Sequence, residues 1–111
     1  MREIIFNALK SLYPVYFIGE HKGECKEPYI VIKFDSQIQS FKNNNCFWKV
    51  VSIFIYTPLH DISKLDFMEE EVIKILKPLL EFNNEIGPEV LEEKLKAYSK
   101  RITFRIPKGG S

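Results

Sequence analysis

Little in this sequence points to chemistry. Its two cysteines, Cys25 and Cys46, are too few for a disulfide scaffold and fit a reduced, cytoplasmic setting. The five glycines form neither a phosphate-binding loop nor a dinucleotide fingerprint, which leaves nucleotide chemistry without support. Charge of one sign is also missing: sixteen basic residues against fifteen acidic leave a net +1. There is therefore no global electrostatic pull toward nucleic acid or an acidic surface. The opening segment, residues 1–10, carries charge inside its apolar pattern and is far too short to span a bilayer, so neither a signal peptide nor a membrane partner is expected. No internal repeat or low-complexity stretch is visible.

What the chain has is apolar and aromatic bulk. Its 111 residues are 45% hydrophobic and 14% aromatic, enough for a single domain with its own core. A domain of this size buries roughly 60–70% of the surface its unfolded chain exposes. Residues 47–56, FWKVVSIFIY, contain no Gly or Pro and are rich in β-branched and aromatic side chains, so they predict a long strand. Trp48, Val50, Phe54 and Tyr56 fall on one face, Phe47, Val51, Ile53 and Ile55 on the other. A strand apolar on both faces is central in its sheet, or has one face covered by a partner.

The rest of the chain arranges itself around that strand. Ile4, Ile5, Ala8, Leu9 and Leu12 recur at helical spacing, predicting a short amphipathic helix ended by Pro14. Residues 15–18 read as a short strand, 19–28 as an exposed loop and 29–35 as a second strand. Residues 36–45, with isolated Ile38 and Phe41 and the Asn43-Asn-Asn45 turn signal, fit a loose hairpin or a mobile arm. Ser63 and Asp66 suggest the N-cap and capping box of a second helix. Leu65, Met68, Val72, Ile73, Leu76 and Leu80 form its apolar stripe, and Pro78 should end it near Lys77. Residues 81–88 read as a connection, and 89–96 as a short helix or an extended arm. Residues 97–106 alternate as a half-buried strand, with Tyr98, Ile102, Phe104 and Ile106 inward and Ser99, Arg101, Thr103 and Arg105 outward. The expectation is one α+β domain over residues 1–107, a mixed or antiparallel four-stranded sheet with an N-terminal helix and a second helix between the third and fourth strands. Residues 108–111 would be a flexible tail.

Candidate chemistry is sparse. His21, Cys25, Cys46 and His60 lack the tight pairwise spacing of a zinc site. His60, Asp61 and Ser63 would make a crowded triad inside a helix-entry turn, and Asp61 and Ser63 serve better as caps. Glu69-Glu-Glu71 and Glu92-Glu93 read as solvated acidic faces rather than cation sites. No catalytic residue, metal or cofactor is expected. Residues 41–49 interleave Phe41, Phe47 and Trp48 with Lys42 and Lys49, as a single-stranded nucleic-acid-binding module would, and Arg101, Arg105 and Lys108 could extend that surface. The balanced charge argues instead for core or interface aromatics. An accessory subunit of an enzyme complex is a third reading.

Surplus apolar surface is the more informative feature. Four strands and two helices cannot easily cover both faces of residues 47–56 together with Tyr13, Tyr16, Phe41 and Phe82, and uncovered aromatic surface of this kind marks an assembly interface.

The order of elements carries a resemblance. An N-terminal helix leads to Glu27-Pro-Tyr-Ile-Val-Ile-Lys33 and a polar loop. Then come Trp48-Lys-Val-Val-Ser-Ile-Phe-Ile-Tyr-Thr-Pro58, a helix over residues 65–76 and the closing strand Lys96-Ala-Tyr-Ser-Lys-Arg-Ile-Thr-Phe-Arg-Ile-Pro107. This pattern, covering residues 27–107, resembles the tail-terminator and tail-completion proteins of long-tailed bacteriophages and phage-tail-like bacteriocin particles. The resemblance implies a non-enzymatic subunit forming a ring, commonly hexameric, on the last ring of the tail tube. Its partners would be itself, the tail tube protein, and possible sheath and head–tail connector or collar proteins, with nucleic acid only passing through the ring. It would assemble in the bacterial host cytoplasm and end in the virion tail or tail-like particle. By position, residues 36–46 would be an arm reaching the tube or the adjacent subunit, and the exposed sheet face the ring contact. Phe41, Lys42, Phe47, Trp48, Phe54, Arg101 and Arg105 are the candidate interface residues.

Overall fold

The computed structural model describes residues 2–19, 23–39 and 46–106. Helix α1 spans Arg2–Lys10, followed by strands β1 (Val15–Phe17), β2 (Tyr29–Gln39) and β3 (Cys46–Pro58). A 3-10 turn at Leu59–Asp61 leads into α2 (Ser63–Leu76), and β4 (Glu81–Ile86), β5 (Val90–Glu92) and β6 (Ala97–Arg105) complete the sheet. The α+β class is as expected, but the described residues form six strands rather than four. Their main path runs β1-β2-β3-β6-β4, with β5 beside β4 on the same edge of β6. Only β1 with β2 is parallel, so the sheet is mixed.

The additional strands come from residues 81–88, which read as a connection, and 89–96, which read as a short helix or an extended arm. β4 pairs with the end of β6, with a bulge between Phe82 and Glu85, and β5 pairs with its start. Residues 89–96 therefore follow the extended alternative and not the helical one. Glu-rich residues 89–93 suit a helix locally, yet register with β6 offers backbone partners that a lone turn of helix could not retain. Residues 93–96 then close a hairpin, with Lys96 at φ 52°.

Both helices pack on one face of the sheet. Ile5 and Leu9 of α1 and Leu65, Met68, Val72 and Leu76 of α2 meet Ile30, Ile32, Val51, Ile53, Ile55, Ile102 and Phe104 in one buried core. Burying a large aliphatic or aromatic side chain contributes about 1.5–3 kcal/mol, so this layer dominates stability. Ile4, expected in the α1 stripe, is exposed, and Phe6 packs on Phe17 instead with ring centroids 5.5 Å apart. α2 stops at Leu76 just before Pro78, and the Lys77 N–H donates to the Ile73 carbonyl. Its start differs from expectation. Ile62 occupies the N-cap position in helical geometry with no side-chain cap bond, and Ser63 is already helical. The 3-10 turn delivers a chain that is helical before Ser63, so no extended residue remains for a hydroxyl to cap.

Candidate assembly surface

The sheet face turned away from the helices is only partly covered. At the end where β2 begins, Cys25, Tyr29, Val31 and Ala97 form a second buried cluster flanked by Tyr16, Phe54, Tyr56 and Leu95. Tyr29 and Tyr56 are cross-strand partners whose rings stack at 4.8 Å, and Tyr16 meets Tyr29 edge-on at 5.7 Å. The loop before β2 is drawn over this cluster by the Cys25 N–H, which donates to the Leu95 carbonyl at 2.7 Å. Burial raises the pKa of the Cys25 thiol and of the Tyr29 and Tyr56 hydroxyls. Ser99 and Thr103, expected outward, do lie on the face away from the helices, yet both are buried. Small side chains between longer neighbours on a sheet lose their water even where no second layer covers them.

The candidate interface residues fall in four places. Phe54 is half-buried at the edge of the second cluster, and its register partner Arg101 is exposed. Arg105 ends β6 opposite Val50 and Glu81 and is half-buried. Phe47 and Trp48 sit in β3, paired with Ile38 and Gln37. Phe41 and Lys42 lie outside the described residues.

The strand pairing shows an element that sequence spacing did not resolve. β2 and β3 stay paired from Tyr29↔Tyr56 to Gln39↔Cys46, whereas β6 ends at Arg105, opposite Val50. Four pairs, Ser36↔Lys49 through Gln39↔Cys46, therefore continue with no third strand among the described residues. At about 3.3 Å per residue they form a ribbon roughly 13 Å long. Of the segment read as a loose hairpin or arm, residues 36–39 lie in β2, and 40–45 are outside the described residues. The molecule is correspondingly elongated, at 48 × 26 × 24 Å. A two-stranded ribbon is marginal by itself in water.

The exposed apolar residues of the opposite edge were not singled out in the sequence, where residues 81–88 read as a connection and 89–96 as a short helix or an extended arm. Ile86, Val90 and Leu91 are 39, 43 and 50% exposed there, more than isolated core-facing residues would be. Three apolar residues spaced among the glutamates of residues 81–93 were the available signal. Elsewhere, Leu12, Phe67 and Ile75 line a groove between the helices with Glu70, Glu71 and Lys74.

The candidate chemical groups are dispersed. Cys25 packs beside Tyr29, while Cys46 pairs with Gln39 at the far end of the β2–β3 ladder. Ten residues of strand put about 33 Å between those ends. His60 is exposed in the turn leading into α2, Ser63 is exposed at the first residue of that helix, and His21 is outside the described residues. Among the described residues, no three His, Cys, Asp or Glu side chains converge on a possible metal position. No described helix is long and apolar enough to cross a membrane. The chain matches no protein-family model, and no curated protein matches it.

Proposed function

We propose that this protein is a non-enzymatic structural subunit of a phage tail or phage-tail-like particle, forming a ring that caps the tail tube and connects to the head or collar. Six subunits is the number the family resemblance implies. The observation that carries this reading is the β2–β3 ribbon, which extends beyond the third strand of its own sheet. Such a ribbon gains stability when a neighbour supplies the missing contacts. Phe54, half-buried beside exposed Arg101, supports a sheet-face contact in the same assembly. The ring's partners would be the tube protein below and sheath, connector or collar proteins around and above it. Assembly would take place in the bacterial host cytoplasm.

The test is native molar mass across a concentration series, with negative-stain images of the largest species. Closed rings with a central hole, formed alone or on addition of purified tail-tube subunits, are expected. A chain that stays monomeric with tube subunits, but binds single-stranded oligonucleotides with steep salt dependence, would replace this reading with a nucleic-acid-binding one.

A further inference from the structure

Resting on the ring reading, we propose that successive copies join edge to edge, the β2 side of one copy's ribbon adding as a strand along the β4–β5 edge of the next. The backbone directions establish the first surface. The Ile30 N–H donates to the Pro14 carbonyl at 2.9 Å, and the Ile32 carbonyl accepts from the Ile18 N–H at 3.2 Å. Both groups point to the β1 side of β2. Backbone direction alternates along a strand, so the peptide groups of Ser36 and Ile38 point the same way. β1 ends at Phe17, opposite Ile32, and no described strand lies alongside Ser36 to Gln39 on that side.

The second surface is the other end of the sheet path. β4 and β5 pair only with β6 among the described strands. The Gly87 N–H donates to the Arg101 carbonyl at 2.8 Å, toward β6, so the peptide groups of the preceding Ile86 turn outward. The bulge shifts the register between Phe82 and Glu85, and the stretch beyond it, around Ile86, Val90 and Leu91, is where apolar side chains are exposed.

Three observations make the occupant a second copy in a head-to-tail arrangement. The two edges terminate opposite sides of one sheet, so they cannot meet within a single chain. Three successive antiparallel steps, β2 to β3, β3 to β6 and β6 to β4, make β4 run opposite to β2. Ile86 lies level with Ile32 through Ile102 and Ile53, so Ser36 to Gln39 sit several residues farther along the strand direction. Copies related by rotation about an axis to which the strands are tilted by roughly 40°, as in closed sheets, would bring the two edges level and pair them antiparallel. Charge agrees: residues 81–93 hold five glutamates and no Lys or Arg, whereas residues 36–39 and 46–49 hold Lys49 and no acid. An acidic edge repels its own copy and accepts an acid-free ribbon. Such heterologous contacts close into rings when the rotation permits.

The experiment uses two folded variants and their mixture. Ser36→Pro removes an outward N–H while leaving the β3 ladder intact, as proline at a strand edge can. Ile86→Asp with Leu91→Asp makes the opposite edge polar. Circular dichroism melts matching the parent would establish that both fold. Each variant alone should run at the 13.1 kDa of one chain under conditions where the parent forms rings. Mixed one to one, they should form a heterodimer and nothing larger, because only one sound ribbon and one sound edge remain to meet. Parent-like rings from both variants would overturn edge pairing and leave the ring reading standing. A parent that forms only dimers, lost with Ser36→Pro but kept in the edge variant, would mean ribbon-to-ribbon pairing and also overturn the proposal. A parent that is monomeric even with tube subunits would remove the ring reading and this proposal together.

Discussion

Lys100 should stabilise the fold through one carboxylate far more than through the other. It occupies a helix-facing position of β6, opposite Ile55 and between Tyr98 and Ile102. Its Nζ donates to Glu69 Oε1 at 2.7 Å and to Asp66 Oδ1 at 3.3 Å. The side chains of Lys100 and Glu69 are 14% and 21% exposed, that of Asp66 75%. A hydrogen bond to a charged, mostly buried partner contributes about 1.5–3 kcal/mol, whereas an exposed ion pair contributes about 0.2–1 kcal/mol. Lys100→Met keeps the packing of the aliphatic stem but leaves Glu69 unpartnered, so a loss of about 2 kcal/mol is expected. With an unfolding entropy of about 2.1 cal/mol/K per residue, that lowers Tm by roughly 8 °C in a chain of 111 residues. Asp66→Asn should lower it by no more than about 4 °C. Lys100→Met combined with Glu69→Leu should recover most of the loss, because no charge is then left buried alone.

Urea and thermal unfolding followed by circular dichroism at one fixed protein concentration would measure these differences, since assembly makes Tm concentration-dependent. The pH dependence has a definite sign. The Lys100 pKa lies above its ordinary 10.5, raised chiefly by the hydrogen bond with Glu69, with burial acting the other way. A raised pKa favours the folded protonated state, so the contribution is fully present below pH 10.5 and declines as pH climbs through the folded value. The gap between parent and Lys100→Met should therefore hold from neutral pH to about pH 9 and narrow above pH 10.5. A loss under about 0.5 kcal/mol at neutral pH, or an Asp66→Asn effect equal to that of Glu69→Gln, would refute this assignment.

Two further outcomes follow from the turn and the second cluster. Lys96 holds φ 52°, a conformation that glycine adopts at lower cost, while its ion pair with Glu24 at 3.4 Å joins two exposed side chains. Lys96→Gly should raise stability by about 0.5 kcal/mol in urea titration, and a comparable loss would show that the ion pair outweighs backbone strain. In a Cys46→Ser background, the buried Cys25 thiol, its pKa raised by burial, should react slowly with a disulfide reagent at pH 8 and rapidly in urea. Rapid labelling of the folded protein would mean that the loop before β2 does not stay closed over the cluster.

The sequence by itself determined the elements whose signal is local. Leu65, Met68, Val72 and Leu76 recur every turn or so and became the buried face of α2, and Pro78 follows its end. Alternating Ile30 and Ile32, Val51, Ile53 and Ile55, and Ile102 and Phe104 marked three strands and the face they bury. Phe54 and Arg101 were legible as outward candidates, though not as register partners. Tertiary structure decided the rest. Residues 81–92 carry no strand period strong enough to read, and they are strands because β6 offers an unfilled edge. Ser63 lost its expected capping role because the turn before it is already helical. Lys100 stands at an inward position because α2 brings Glu69 above it, a partner 31 residues away in sequence. The ribbon exists only because β2 and β3 outrun β6. Side-chain periodicity is written in neighbouring residues, but strand length, edge and register depend on backbone partners that only folding brings together.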